Sequence, residues 1–208
     1  MSAYIPGDDD IIDPDEPPRY SSTPIRPNEG LSKEQIKQML REIGEYYKYH
    51  VEDEIHTGFS KVDTVWFDNR IAPIWFKKRK HLENSLAIPI IGFEIEEKSA
   101  GRKYIRGDID SLNSLSPSVG VIVFSDRVKN VTLYRESWKY SKSKHGDWDE
   151  EQIKKDAIKR TQNAWLTSIN IFLKFTAASP KCRIVIWEEK DLIELHKNIK
   201  DNADGHNK

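Results

Sequence analysis

Three acids stand inside stretches that otherwise read as buried strand. Val62-Asp63-Thr64-Val65-Trp66 and Ile90-Ile91-Gly92-Phe93-Glu94-Ile95-Glu96-Glu97-Lys98 are apolar runs with carboxylates in their middle. Burying a carboxylate is costly unless it is paired or binds a metal. Strand side chains alternate, so Glu94, Glu96 and, if the strand continues, Lys98 project from one face. With Asp63 on a neighbouring strand, three acids and one lysine form a group able to hold a divalent metal and activate a water. The competing expectation is a solvated sheet face, which ordinarily mixes both charge signs or hydroxyls rather than carrying three acids mid-strand.

The elements that must position these acids follow from local patterns. Ser32-Lys33-Glu34-Gln35 fits a helix capping box. Ile36, Leu40, Ile43 and Tyr47 then recur at helical spacing, and the helix should end near Tyr49. A strand over Tyr49–Ile55, a turn at Thr57-Gly58 and strands over Lys61–Phe67 and Ile88–Glu96 come next, with residues 68–87 ambiguous. Ile105, Ile109 and Leu112 suggest a short helix opening near Asp108 and stopped by Pro117. Val119–Phe124 is a continuous apolar run, as in a strand buried on both faces. Val131–Arg135 reads as a further strand and residues 137–149 as a polar loop. From Glu150 to about Phe175 the longest helix carries Ile153, Ala157, Thr161, Trp165, Ile169 and Phe172 on one side. A strand over Arg183–Trp187 and a helix over Asp191–Ile199 complete the series. Helices interleaved with apolar strands predict an α/β layer fold with a mixed sheet.

Composition sets the outer bounds. The chain has 208 residues, enough for one domain with a real core and short for two. Residues 1–30 read as a disordered acidic tail holding six prolines, residues 31–200 as the folded domain, and residues 201–208 as a polar tail. The formal net charge of -1 announces no polyanion partner, although patches rather than totals bind phosphate. Cys182 is the single cysteine, so a disulfide framework and a cysteine-rich zinc site are excluded. No run approaches the roughly 18 apolar residues of a membrane-spanning helix, and the N-terminus lacks the apolar stretch of a signal peptide. A cytoplasmic protein with no membrane contact is the expectation.

On these residues the chain resembles the PD-(D/E)XK nuclease superfamily, the restriction-endonuclease-like fold, over about residues 31–195. Asp63 matches the first acid of that pattern. Glu94-Ile95-Glu96 matches the second acid, with glutamate in the lysine position. Arg106–Leu115 and Val119–Phe124 match its crossover helix and following strand. Two registers compete, because Glu96-Glu97-Lys98 is a literal E-x-K. In one, Glu94 is the ligand and Glu96 replaces the lysine; in the other, Glu96 is the ligand and Lys98 the lysine. Phe93 and Ile95 give Glu94 the more strand-like setting. Val62 stands where the family often has proline before the first acid.

The resemblance implies a three-layer core with a central mixed β-sheet flanked by helices. It further implies an Mg²⁺-dependent DNA endonuclease, most like a type II restriction enzyme, with Mn²⁺ as a substitute ion. Asp63, Glu94, the Ile95 carbonyl and Glu96 would hold metal, and Glu96 or Lys98 would act on the attacking water. Double-stranded DNA is the implied substrate and a homodimer the implied assembly, with the long helix or residues 68–87 at the interface. A nuclease of the same fold in repair, recombination or a mobile element, and a DNA-binding relative without chemistry, are the alternatives.

Other residues are candidates for phosphate contact. Lys77-Lys78-Arg79-Lys80 sits between Trp75 and His81, and Arg102, Lys103 and Arg106 follow the acidic pair directly. Arg135, Lys139, Lys142 and Lys144 accompany Trp138 and Tyr140. Each group reads equally as a solvated basic surface. Glu42 and Glu45 on the first helix, and Glu52 and Glu54 after it, are candidate outer acids whose simpler reading is solvent-facing charge. The six histidines form no ligand pair, and the chain has neither a phosphate-binding glycine loop nor a nucleophile elbow.

Overall fold

The computed structural model describes residues 25–26, 29–57, 60–68, 88–98, 102–177 and 181–205. Helix α1 (Lys33–Tyr46) begins where the capping box places it. The Ser32 hydroxyl accepts from the Gln35 N–H at 3.3 Å, and the Gln35 side chain accepts from the Ser32 N–H at 2.8 Å. Two N–H groups left over at the helix start are thereby satisfied. Ile36, Leu40 and Ile43 are buried as their spacing requires, but Tyr47 lies beyond the helix and is exposed.

Five strands follow, β1 (His50–His56), β2 (Lys61–Asp68), β3 (Ile88–Glu96), β4 (Val119–Phe124) and β5 (Arg183–Glu188). They form one sheet in the order β1-β2-β3-β4-β5. The first three pair antiparallel, and β3, β4 and β5 pair parallel. Parallel neighbours need a crossover. Helix α2 (Arg102–Leu115) supplies it between β3 and β4. Between β4 and β5 the chain runs through a π-helical stretch (Val128–Leu133), α3 (Tyr134–Lys144) and α4 (Glu150–Ala177); α5 (Glu189–Gly205) ends the fold.

Each face of the sheet carries its own core. Ile36, Leu40 and Ile43 of α1 pack with Phe93, Ile95, Val121, Val123 and, from α5, Leu192 and Ile199. On the other face Ile105, Ile109 and Leu112 of α2 meet Ile122, Phe124 and the α4 residues Trp165, Ile169 and Phe172. The whole α4 stripe read from the sequence is buried. Phe124 stacks on Phe172 with ring centroids 4.8 Å apart and meets Trp165 edge-on at 5.4 Å. Aromatic pairs of this kind add about 0.5–1.5 kcal/mol beyond burial of their area. The result is a three-layer α/β core with a central mixed sheet.

Four expectations are corrected. Val131–Arg135 is helical rather than a strand, and α3 occupies the first part of the expected loop over 137–149. Its inward residues are polar, so no apolar period marks it. Ser137 and Ser141 are buried, and the Ser141 hydroxyl lies 2.9 Å from the Ser137 carbonyl and 2.7 Å from Asp156 of α4. Helix α2 starts at Arg102, before Asp108, and its first turn leaves Lys103 and Tyr104 exposed while burying Ile105. Helix α5 takes in residues up to Gly205, part of the expected polar tail. Residues 1–24 and most of 68–87 lie outside the described residues. Among the described residues, no helix is long and apolar enough to cross a membrane.

Candidate active site

The acids sit where two strands separate. The β2–β3 ladder runs from Asp68↔Ile88 to Thr64↔Phe93, and its described pairs end there. Beyond that point β3 stays with β4 through Glu96↔Phe124, while β2 stays with β1 through Lys61↔His56. The sheet therefore forks at Asp63 and Glu94. A strand amide that has lost its neighbour must find another acceptor. The Ile95 N–H finds Asp63, donating to Oδ2 at 2.8 Å in a buried hydrogen bond. Strand β1 is distorted beside the fork, with Glu54 in the left-handed region at φ 57.

Alternation along β3 sends Phe93 and Ile95 to the α1 side, leaving Glu94 and Glu96 on the α2 side. Helix α2 is seated close to the sheet by two glycines. A Cβ at Gly92 or at Gly120 would lie 3.0 Å from a Leu112 methyl. Asp108 stands one turn before Leu112 on the same helix face. It consequently meets Glu96, whose charge and hydrogen bond, after burial itself, raise the Asp108 carboxyl above its usual range; Asp63 adds to the rise. Glu94 is pushed up to about 10, first by burial, then by the charges of Asp63 and Asp108.

Asp63 and Glu94 are 6% and 5% exposed, so water does not screen them. Among the described residues, the Lys33 side chain is a cation that faces them. The Lys33 ammonium, from the first residue of α1, pairs with Asp63 Oδ1. Its pKa is raised: burial lowers it, and the Asp63 hydrogen bond with the charges of Asp63, Glu54 and Glu94 outweighs that. Glu94 Oε1 and Asp108 Oδ2 are buried without a hydrogen-bond partner. Orphaned carboxylate oxygens in a low-dielectric fork suit a hard divalent cation, which prefers oxygen ligands. The donor set fits magnesium in kind. As placed, no three acid, histidine or cysteine side chains among the described residues could hold an ion, and Asp63 is turned onto Ile95 and Lys33.

Of the two registers, the geometry gathers Glu94 and Glu96. Strand β3 ends at Glu96, and Lys98 lies past it, with a side chain 86% exposed and 3.4 Å from Glu97. Lys98 is thus not beside Asp63. Lys103 and Arg106 are exposed on the first turns of α2. Lys77, Lys78, Arg79, Lys80 and the Arg102 side chain lie outside the described residues. Arg135 and Trp138 border an open groove with Tyr134 and Lys154, on the α3–α4 side. Glu42 is held by His196 at 2.6 Å across the α1–α5 seam, and Glu52 by His50 at 2.6 Å. Glu45 is exposed.

Sequence reasoning missed Lys33 and Asp108 as site residues. Lys33 was visible only as part of a cap. Asp108 carried one usable signal, a position four residues before Leu112 on the inward face of a helix that follows the acidic strand.

No family model matches the chain, and no curated protein or solved structure matches it either.

Proposed function

We propose that the chain is an Mg²⁺-dependent endonuclease that hydrolyses phosphodiester bonds of double-stranded DNA, acting as a homodimer of the type II restriction kind. The observation that carries this reading is the fork: Asp63 and Glu94 buried together, Glu94 Oε1 unpartnered, and Glu96 beside them. Asp63, Glu94 and the Ile95 carbonyl are the groups that would hold Mg²⁺, with Mn²⁺ as a substitute. When bound, the ion neutralises phosphate charge and lowers the pKa of a water. Glu96, half-buried and joined to Asp108, orients that water and takes its proton. Lys103 and Arg106 on the exposed turns of α2 meet the sugar–phosphate backbone. A two-fold partner brings a second site to the second strand.

The test is incubation of plasmid and linear DNA with the full chain in Mg²⁺, Mn²⁺ or EDTA. Discrete fragments that depend on the ion and vanish in Asp63→Asn are the expected result. A smear or structure-specific nicking would favour repair or recombination over restriction. Unaltered DNA in both ions, with equal DNA binding by Asp63→Asn, would sink the enzymatic reading.

A further inference from the structure

We propose that Lys33 is a built-in cation that occupies Asp63 in the ion-free protein and competes with a divalent ion for it. The inference rests on the cation-site reading above and adds the residue that sets the affinity of that site.

Asp63 divides its two oxygens between different kinds of donor. Oδ2 accepts from the Ile95 N–H, a backbone group fixed by the sheet. Oδ1 accepts from Lys33, whose ammonium ends a flexible side chain still 31% exposed. Exchanging the ammonium for an ion therefore frees Oδ1 and leaves the anchoring bond in place. Lys33 also falls short of what the fork demands. It is one positive charge facing Asp63, Glu54, Glu94 and Asp108, and it leaves Glu94 Oε1 and Asp108 Oδ2 without a partner. The ammoniums of Lys37 and Lys61 both pair with Glu54.

The backbone at Lys33 is held by hydrogen bonds on both flanks. Its N–H donates to Glu97 at 2.9 Å. Just before it, the Leu31 N–H donates to Glu189 at 2.8 Å, and the Leu31 carbonyl accepts from the Ser125 hydroxyl at 2.6 Å. The Gly30 carbonyl accepts from Arg127 Nε at 3.1 Å. The Ser32 cap then turns the chain into α1. With both flanks clamped, the Lys33 side chain is the movable part. Its presence holds Asp63 oriented when no ion is bound, and it weakens ion binding by occupying one ligand oxygen.

The experiment is thermal unfolding of the full chain without DNA, titrated with CaCl₂, in the wild type, Lys33→Met, Lys33→Arg and Asp63→Asn. Removing an opposing charge within contact distance should lower the half-saturating Ca²⁺ concentration of Lys33→Met about tenfold or more. Lys33→Arg, which keeps the charge, should stay within about threefold of the wild type. Asp63→Asn should lose the Ca²⁺ response. A structural role alone would lower the melting temperature and leave the Ca²⁺ midpoint in place. An unchanged or higher midpoint in Lys33→Met, with the wild type responding to Ca²⁺, overturns this proposal and spares the site. No response to Ca²⁺ or Mn²⁺ in any of the proteins overturns the cation-site reading, and this proposal with it. Should Lys33→Met fail to fold, ¹⁵N-lysine spectra of the unaltered chain decide: a hydrogen-bonded Lys33 ammonium signal that persists at saturating Ca²⁺ is the overturning result.

Discussion

Two buried acids at the carboxyl ends of parallel strands, Glu94 in β3 and Glu189 just after β5, have opposite surroundings. Glu189 Oε2 accepts from the Leu31 N–H at 2.8 Å, the Asp126 N–H at 2.9 Å and the Ser125 hydroxyl at 3.2 Å. Those donors belong to the backbone and to a fixed hydroxyl, so the charge is spread over the fold itself. Glu94 instead faces Asp63 and Asp108, and one of its oxygens has no partner. Both are buried carboxylates of the same residue type. The donors around the first make it a fastener, and the acids around the second leave it with one oxygen unpartnered. Burial of an acid is therefore uninformative until its donors are counted.

The contrast can be broken most sharply by Glu94→Gln. If Glu94 holds an ion, cleavage should fall about a thousandfold or more, several kcal/mol of transition-state stabilisation. Stability in EDTA near neutral pH should rise rather than fall, because the unaltered chain must take up a proton at Glu94 on folding there and a glutamine need not. Glu189→Ala should do the reverse. Leaving two half-buried amides without an acceptor costs about 1–3 kcal/mol by chemical denaturation. Intact cleavage in Glu94→Gln, or a stability loss in it equal to that of Glu189→Ala, would erase the distinction.

The pH dependence of the metal-free protein sharpens the same point. Glu94 moves from 4.5 to about 10 on folding, so the folded chain keeps a proton that the unfolded chain releases. Its stability contribution is whole below 4.5 and declines as pH rises toward 10. Urea midpoints in EDTA should show this decline, and Glu94→Gln should flatten it. The smallest effect is expected at Glu42, on the half-open α1–α5 seam. Its carboxyl is lowered to about 2 by hydrogen bonds from Gln38 and His196. Glu42→Gln should cost under about 1 kcal/mol and shrink further in salt, with cleavage unaffected.

What the sequence discloses is local. The cap at Ser32, the apolar runs of β3 and β4 and the α4 stripe are read correctly because propensity and periodicity act within a few residues. Asp63, Glu94 and Glu96 are legible for the same reason, as charges out of place in apolar strands. Asp108 and Lys33 are not, since each joins the acids only through packing: Leu112 against two glycines for one, the clamped α1 start for the other. Helix α3 escaped because its buried contacts are serine and aspartate, which carry no apolar signal. The choice between Glu96 and Lys98 could not be made from alternation, which places both on one face. It turns on where β3 stops.

The clamp on Leu31 has a consequence for the order in which the protein matures. Its acceptor, Glu189, lies 158 residues downstream. On a ribosome adding about 5–20 residues per second, the start of α1 must wait through most of translation before that bond can form. Strands β1 to β3 can pair long before then, but Lys33 gains its final footing only once the last helix emerges. The footing of Lys33 beside Asp63 is thus completed only after the last strand of the sheet has been made.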